Sequence, residues 1–267
     1  METACKILII AGSDSGGGAG IQADIKTASA LGVYAATAIT AVTAQNTVGV
    51  QAVAALPPDM ITAQIHSVLS DIDIDAIKIG MLADAPLIRA VADAIGPFGG
   101  PVVLDPVMVA KSGAPLLERE AVDALRSALL PRADVLTPNL PEAARLLGEA
   151  EAPDEDTAAR QGRALCALGA RATLMKGGHG TGPVCTDLLI HEQGIDRLRA
   201  PRLTTRNTHG TGCSLSSAIA SELARGQGLR PAVARAHGWL QGAIRAADGL
   251  GVGHGHGPVH HFHELWT

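Results

Sequence analysis

The sequence predicts an α/β fold: a mainly parallel central sheet with helices packed on both faces. Three observations point there. Short β-branched or apolar runs alternate with helical stretches along most of the chain. Five of those runs end in polar or glycine-rich residues, as the carboxyl ends of parallel strands do when they line a site. The chain has 267 residues, 47% of them hydrophobic, enough for one full core. The acidic stretch 149–157 reads as a surface turn, because the strand–helix rhythm resumes at once. Residues 1–267 therefore read as a single domain without internal repeats.

The elements follow in order. Residues 6–11 (KILIIA) form a short Ile-rich run, read as a buried strand. The glycine-rich stretch 12–20 precedes a helix over about 21–31, with Ile21, Ile25 and Ala28 as its apolar stripe. Asp24 falls inside that stripe. A buried carboxylate needs a partner, either a ligand or an internal bond to the glycine loop. Residues 33–43 and 50–56 read as strands around the polar loop 44–49. Pro57 and Pro58 open a helix over 59–69. Strand 76–79 ends in Gly80-Met81, and strand 101–104 in Asp105, with a helix over 85–94 between them. A helix over 119–130 leads to strand 134–136, which ends in Thr137-Pro-Asn139 and a short helix over 141–147. A helix over 157–168 precedes strand 172–175, which ends in Lys176-Gly-Gly-His179. Residues 184–190 and 195–198 look like a hairpin, and a last helix spans 232–247.

The stretch Asn207-Thr-His-Gly-Thr-Gly-Cys-Ser214 runs straight into a helix over 215–224. A glycine turn opening a helix exposes N–H groups without intrahelical partners, and the helix dipole adds positive charge there. Such a terminus suits an anion, and Gly210 and Gly212 let backbone approach a phosphate. Cys213 falls in the first helical turn, where a thiol is most easily ionised. A glycine turn before a packing helix, with Cys213 as a small apolar residue, is the competing explanation.

Composition excludes several classes. A net charge of −5 and 2% aromatic residues disfavour nucleic-acid binding. Cys5, Cys166, Cys185 and Cys213 have no CxxC spacing, which fits a reducing cytoplasm. The apolar run 7–11 is too short for a signal peptide, and run 33–44 falls short of a membrane span. Gly18-x-Gly20-x-x-Ala23 resembles a dinucleotide fingerprint, but no acid occurs between Asp24 and Asp59 where one should bind ribose. GxxxxGK[ST] and GxSxG are both absent.

The strand ends should gather Asp14, Asp105, Glu142, Lys176 and the Cys213 loop into one cleft. Phosphoryl transfer needs a phosphate cradle, charge neutralisation, a metal and a base. The loop supplies the first, and Lys176, one of five lysines, supplies a cation. Asp105 and Glu142 suit Mg²⁺, directly or through its waters. The segments AGSDSGGGAGIQADIKT (11–27), ITAVTAQNTVGV (39–50), KIGML (78–82), VVLDPVMVAKSG (102–113), LTPNLPEA (136–143), LMKGGH (174–179), NTHGTGCS (207–214) and VGHGHGPVHHF (252–262) carry a resemblance. They resemble the hydroxymethylpyrimidine/phosphomethylpyrimidine kinases of the ribokinase-like superfamily, nearly end to end.

The resemblance implies a three-layer α/β/α ribokinase-like fold, an ATP- and Mg²⁺-dependent kinase of thiamin biosynthesis, and a homodimer. It implies that Gly210, Thr211, Gly212 and Cys213 form the anion hole, with Cys213 at the base position. Gln45 is implied to pair with the pyrimidine amino group and ring nitrogen. Asp24, Gly12, Met81 and Val107 are implied to surround the substrate. Asn139, Lys176, Thr208, Thr211 and Asp105 are implied on the nucleotide side, with Asn139 and Glu142 organising the Mg²⁺ waters. His209 reads as structural, and the histidine-rich tail as a flap near the nucleotide rather than a metal site. Pyridoxal kinase of the same superfamily, a cysteine hydrolase using Cys213 and His209, and a non-catalytic binding module are the alternatives.

Overall fold

A computed structural model of the chain describes residues 3–108, 119–179 and 182–266. Among these residues nine strands form one sheet in the order β3-β2-β1-β4-β5-β6-β7-β8-β9. They are β1 (Lys6–Asp14), β2 (Tyr34–Gln45), β3 (Val50–Ala55), β4 (Ala76–Ile79), β5 (Val102–Leu104), β6 (Val135–Leu136), β7 (Thr173–Met175), β8 (Val184–His191) and β9 (Gly194–Pro201). Strands β2, β1, β4, β5, β6 and β7 run parallel, while β3 on one edge and β8–β9 on the other are antiparallel.

Helices cover both faces. On one lie α2 (Pro58–Leu69), α3 (Ala85–Ala94), α4 (Arg119–Ala124), α5 (Leu140–Leu147) and α6 (Glu155–Ala167), packed over Leu8, Ile10, Ile77 and Leu104. On the other lie α1 (Gly20–Ala30), α7 (Thr211–Ala224) and α8 (Leu229–Arg245). Ile7, Ile9 and Ala11 of β1 face α1, so this strand is buried on both sides, as its unbroken apolar run requires. The three-layer α/β/α architecture is the one expected. No helix of the described residues is long and apolar enough to cross a membrane.

Several boundaries differ from the sequence reading. β1 extends past Ala11 to Asp14, with a register shift between Ala11 and Ser13. β2 runs on to Gln45, so that side chain leaves the end of a paired strand rather than a free loop. The single helix expected over 119–130 stays α-helical only through Ala124, then widens to a π turn at Leu125–Leu129 and closes as 3₁₀ at Leu130–Arg132. Pro131 cannot donate a backbone bond into a continuing helix, so the segment must change its pattern there.

One charged contact bolts the α1–α7 layer onto the sheet. Lys78 of β4 and Asp24 of α1 are both fully buried, with Lys78 Nζ 2.8 Å from Asp24 Oδ2. Ser217 of α7 donates to the other carboxylate oxygen at 2.7 Å. Burial works against the Lys78 charge, but Asp24 more than offsets it and holds the ammonium protonated above its ordinary range. Removing one member of such a pair strands a charge in the core. Lys78→Ala should therefore destabilise the chain by about 3–5 kcal/mol in urea unfolding. The double variant Asp24→Leu/Lys78→Met should recover most of that loss, and a single-variant loss below ~1 kcal/mol would contradict the argument.

Candidate active site

The sheet order places the strand ends expected to form a site next to one another. β1 ends at Asp14, β4 leads to Met81, β5 to Asp105, β6 to Asn139 and β7 to Lys176, along consecutive parallel neighbours. Chain order reverses at β1, which pairs with β2 on one side and β4 on the other, so the crevice opens at the switch point.

The anion-hole candidates occupy the start of α7. Thr211, Gly212 and Cys213 form its first turn rather than a loop before it, and Gly210 is the N-cap at φ 79°. Gly210, having no side chain, supplies no cap of its own. Gly210 lies so close to the β1–α1 loop that a Cβ there would sit 1.8 Å from the Gly18 carbonyl oxygen. Only glycine meets both demands. A Cβ on Gly212 would lie 3.3 Å from both Asp105 Oδ2 and Lys176 Nζ, which brings the helix terminus against the charged end of β5 and β7.

Lys176 Nζ is 2.9 Å from Asp105 Oδ1 and 3.9 Å from Glu142 Oε2. Burial opposes its charge, and the two carboxylates overcome that and hold it protonated above the usual lysine range. Asp105 Oδ1 also accepts from Thr137 Oγ1 at 3.1 Å. Asn139 and Glu142 make a capping box at α5: each side chain accepts from the other residue's N–H at 2.8 Å. Burial pushes the Glu142 carboxyl up against the pull of Lys176. No group of three acidic, histidine or cysteine side chains among the described residues is assembled as a metal cage. Two carboxylates beside a helix terminus suited to phosphate still fit Mg²⁺, which keeps its waters and takes ligands from phosphate. Thr208 lies just before the same turn, where its carbonyl accepts from Thr211 N at 3.4 Å. An open groove of about 680 Å³ along 202–207 and Asp248 adjoins this side, and nothing in the sequence had marked it.

Met81 packs onto Gly12, where a Cβ would meet Met81 Cε at 2.5 Å. Val107 follows two residues after Asp105 and is partly exposed at the same edge. The second half of the VVLDPVMVAKSG motif, 109–113, lies outside the described residues. Gln45 reaches His209, with Gln45 Nε2 3.1 Å from His209 Nε2. His209 Nε2 is in turn 2.9 Å from Asp14 Oδ2. His209 Nε2 thus faces Asp14 and Gln45 while the Cys213 sulfur takes the Gly20 N–H, so the two groups serve other partners rather than each other, against the Cys–His hydrolase reading.

Two expectations need correction. Asp24 is not a substrate contact in this structure: it is fully buried and its oxygens serve Lys78 and Ser217. The carboxylate that organises the glycine loop is Asp14, which accepts from Gly16, Gly18 and Ala19 N–H groups at 2.8, 3.1 and 2.8 Å. Burial pushes the Asp14 carboxyl up, but the bonds from His209 and the loop amides win and hold it below its usual range. Nor is Cys213 readily ionised. Burial pushes its thiol up to about 11, with Lys78 and a bond from Gly20 N–H pulling down and Asp24 and Asp105 pushing up. The helix terminus alone does not outweigh desolvation. Sequence reasoning missed Lys78, although a lysine inside the four-residue buried strand AIKI is itself a demand for a buried acid.

The tail histidines go to separate partners. His261 Nε2 lies 3.1 Å from Ser214 Oγ, His256 Nδ1 3.2 Å from the Arg206 carbonyl, and His263 packs on Trp239. Gly255 and His256 N–H groups bond Thr47, and Gly257 bonds Asn207 and His209, so the tail ties the β2–β3 turn to the α7 entry.

Two outcomes follow from this geometry. Alkylation of Cys213 by iodoacetamide, followed by mass spectrometry, should be slow at neutral pH and rise about tenfold per pH unit toward its value near 11; a rate already flat near pH 7 would contradict a neutral thiol. Gly210→Ala should lower stability by more than ~1 kcal/mol in thermal unfolding, because it combines a left-handed φ with the Gly18 clash. An unchanged Tm would contradict the close approach.

The comparisons with known proteins agree with one another. The family model described as phosphomethylpyrimidine kinase matches residues 14–260. The hydroxymethylpyrimidine/phosphomethylpyrimidine kinase of Rhizobium meliloti is 55% identical, covering 97% of each chain. The Escherichia coli protein of the same name is 52% identical, covering 97% of this chain and 98% of its own. Among solved structures, Clostridium difficile phosphomethylpyrimidine kinase is 41% identical with a TM-score of 0.79, covering 90% of this chain and 99% of its own. Staphylococcus aureus pyridoxal kinase bound to ADP is 31% identical with a TM-score of 0.91, covering 99% and 96%. The family model and these relatives together show that the chain belongs to the phosphomethylpyrimidine kinase family.

Proposed function

We propose that the chain transfers the γ-phosphoryl group of ATP to the hydroxymethyl oxygen of 4-amino-5-hydroxymethyl-2-methylpyrimidine. It then phosphorylates the monophosphate to the diphosphate, for thiamin diphosphate synthesis. The observation that carries this reading is the glycine-opened α7 terminus at Gly210–Cys213, set against Asp105 and Lys176, with Gln45 reaching His209 just before that turn and Met81 packed on Gly12.

The transferring group is metaphosphate-like, so catalysis is mostly positioning and charge stabilisation. The N–H groups of the first α7 turn receive the γ-phosphate, and Lys176 and Thr211 hold its oxygens. Asn139 and Thr208 border the nucleotide. Magnesium, when bound with ATP, neutralises the β- and γ-phosphates, and Asp105 and Glu142 are the residues that would hold its waters. The Cys213 thiol first gives its own proton to solvent; the hydroxymethyl oxygen then bonds to the γ-phosphorus as the bridging bond to ADP breaks, and the hydroxyl proton passes to the Cys213 thiolate. Because that thiol is pushed up to about 11, the step speeds up as pH rises through the neutral range.

Four free cysteines fit a reducing cytoplasm. We assign the exposed β2–β3 edge to a homodimer contact: all of β3 is exposed, as are Val42, Val48 and Val53. Val50→Lys/Val53→Lys should give a monomer in sedimentation, and a wild-type monomer at micromolar concentration would refute the assignment.

Phosphorus NMR of the chain with ATP, Mg²⁺ and the pyrimidine alcohol should show the monophosphate and then the diphosphate; ATP left unconsumed would refute the reading. Cys213→Ala should cut kcat by about 10²–10⁴-fold while ATP still binds. Gln45→Ala should mainly raise KM for the pyrimidine. A much higher kcat/KM for pyridoxal than for the pyrimidine would move the assignment to pyridoxal kinase.

A further inference from the structure

His209, Gln45 and Thr43 pose a donor-counting problem whose solution bears on substrate choice. His209 Nε2 is 2.9 Å from Asp14 Oδ2 and 3.1 Å from Gln45 Nε2. An ionised carboxylate only accepts, so the single proton that Nε2 can carry belongs to Asp14. That nitrogen then has no lone pair for an amide NH₂, and two donors face each other. Thr43 poses the same conflict at the other end of the amide. Its one hydroxyl proton serves the Ser13 carbonyl at 2.9 Å, yet Gln45 Oε1, an acceptor, lies 3.4 Å away. Turning the amide over resolves both at once. Oε1 then shares the single Nε2–H of His209 with Asp14 in a three-centre bond, and Nε2 of Gln45 donates to Thr43 Oγ1. The two ends of a side-chain amide are told apart by their partners, and here both partners require the same orientation.

We infer that His209, oriented by Asp14, is a specificity-determining positioning residue: it locks the Gln45 amide with its oxygen toward His209 and so selects the hydrogen-bonding edge of the ring. The inference rests on the proposed role of Gln45 in meeting the pyrimidine. The locked amide offers an acceptor on the His209 side and a donor on the Thr43 side. A ring edge with an amino group beside a bare ring nitrogen is complementary to that order. A ring edge with a carbonyl beside a ring N–H sets acceptor against acceptor and donor against donor. The ring cannot turn over to escape, because its hydroxymethyl group must stay at Cys213. Other surroundings reinforce the lock. Asp14 is itself held by three loop amides, and a Cβ at Gly18 would meet His209 Cδ2 at 2.5 Å, so the imidazole has little room to swing. The His209 backbone is clamped by the tail through Gly257.

The test compares calorimetric binding of the 4-amino pyrimidine and its 4-oxo analogue to wild type, His209→Phe, His209→Gln and Gln45→Ala. Wild type should favour the amino compound by at least ~100-fold, since two reversed hydrogen bonds each cost about tenfold or more. His209→Phe frees the amide, so that preference should fall at least ~tenfold, chiefly through tighter binding of the oxo compound. KM for the amino substrate should rise with kcat little changed, and His209→Gln, which keeps a donor, should retain much of the preference. A His209→Phe preference within twofold of wild type, in a protein of unchanged Tm and with Gln45→Ala still impaired, overturns the lock but not the role of Gln45. If Gln45→Ala binds the pyrimidine normally, the parent reading fails and this one with it. Should His209→Phe not fold, long-range ¹H–¹⁵N correlation on wild type decides: Nε2 should carry a proton, and a bare Nε2 overturns the proposal.

Discussion

The site depends on one close approach of backbone to backbone. The α7 terminus meets the β1–α1 loop where Gly210 faces Gly18, at a distance that leaves no room for any side chain. This contact sets the starts of α1 and α7 side by side at the switch point of the sheet. Cys213 lies between them, and its sulfur takes the Gly20 N–H. Two helix termini then direct positive potential at one spot, which is a poor place for packed side chains and a good one for a polyanion. Hydrophobic burial holds the layers together, but it is the glycine contact that places the α7 terminus against the β1–α1 loop.

Charges around that point are arranged in tiers. Behind it, Lys78, Asp24 and Ser217 form a dry, satisfied group that cannot reach a ligand. Beside it, Lys176, Asp105 and Glu142 are less enclosed, and in the proposed reaction they would exchange partners with phosphate and magnesium. A buried pair of this kind adds little net stability, since desolvation consumes much of the attraction. Its value lies in fixing α1 and α7 relative to β4, so that Gly20 and Cys213 keep their mutual position. The neutral thiol is a consequence of the same enclosure: burial and two carboxylates outweigh one lysine and two dipoles.

Much of this was legible in the residues. Alternating strands and helices fixed the layers, and polar strand ends at Asp14, Met81, Asp105, Asn139 and Lys176 marked the edge before any coordinate did. The glycine turn before Cys213 marked the anion site through elementary backbone chemistry. What stayed hidden was pairing across long sequence separations. Asp24 announced a need for a partner but did not name Lys78, 54 residues away. His209 could be read as structural, yet its attachment to Asp14, 195 residues earlier, belongs to the tertiary fold alone. The ionisation of Cys213 was misread for a related reason: the helix dipole is visible in sequence, whereas the desolvation that defeats it is not.

The account is tested most directly by a crystal structure of the chain with ADP, Mg²⁺, aluminium fluoride and the pyrimidine alcohol. The planar fluoride should lie within hydrogen-bond distance of the N–H groups of Gly212 and Cys213, between the ADP β-phosphate and the hydroxymethyl oxygen. Fluoride density away from the α7 terminus, with those N–H groups facing only water, would contradict it.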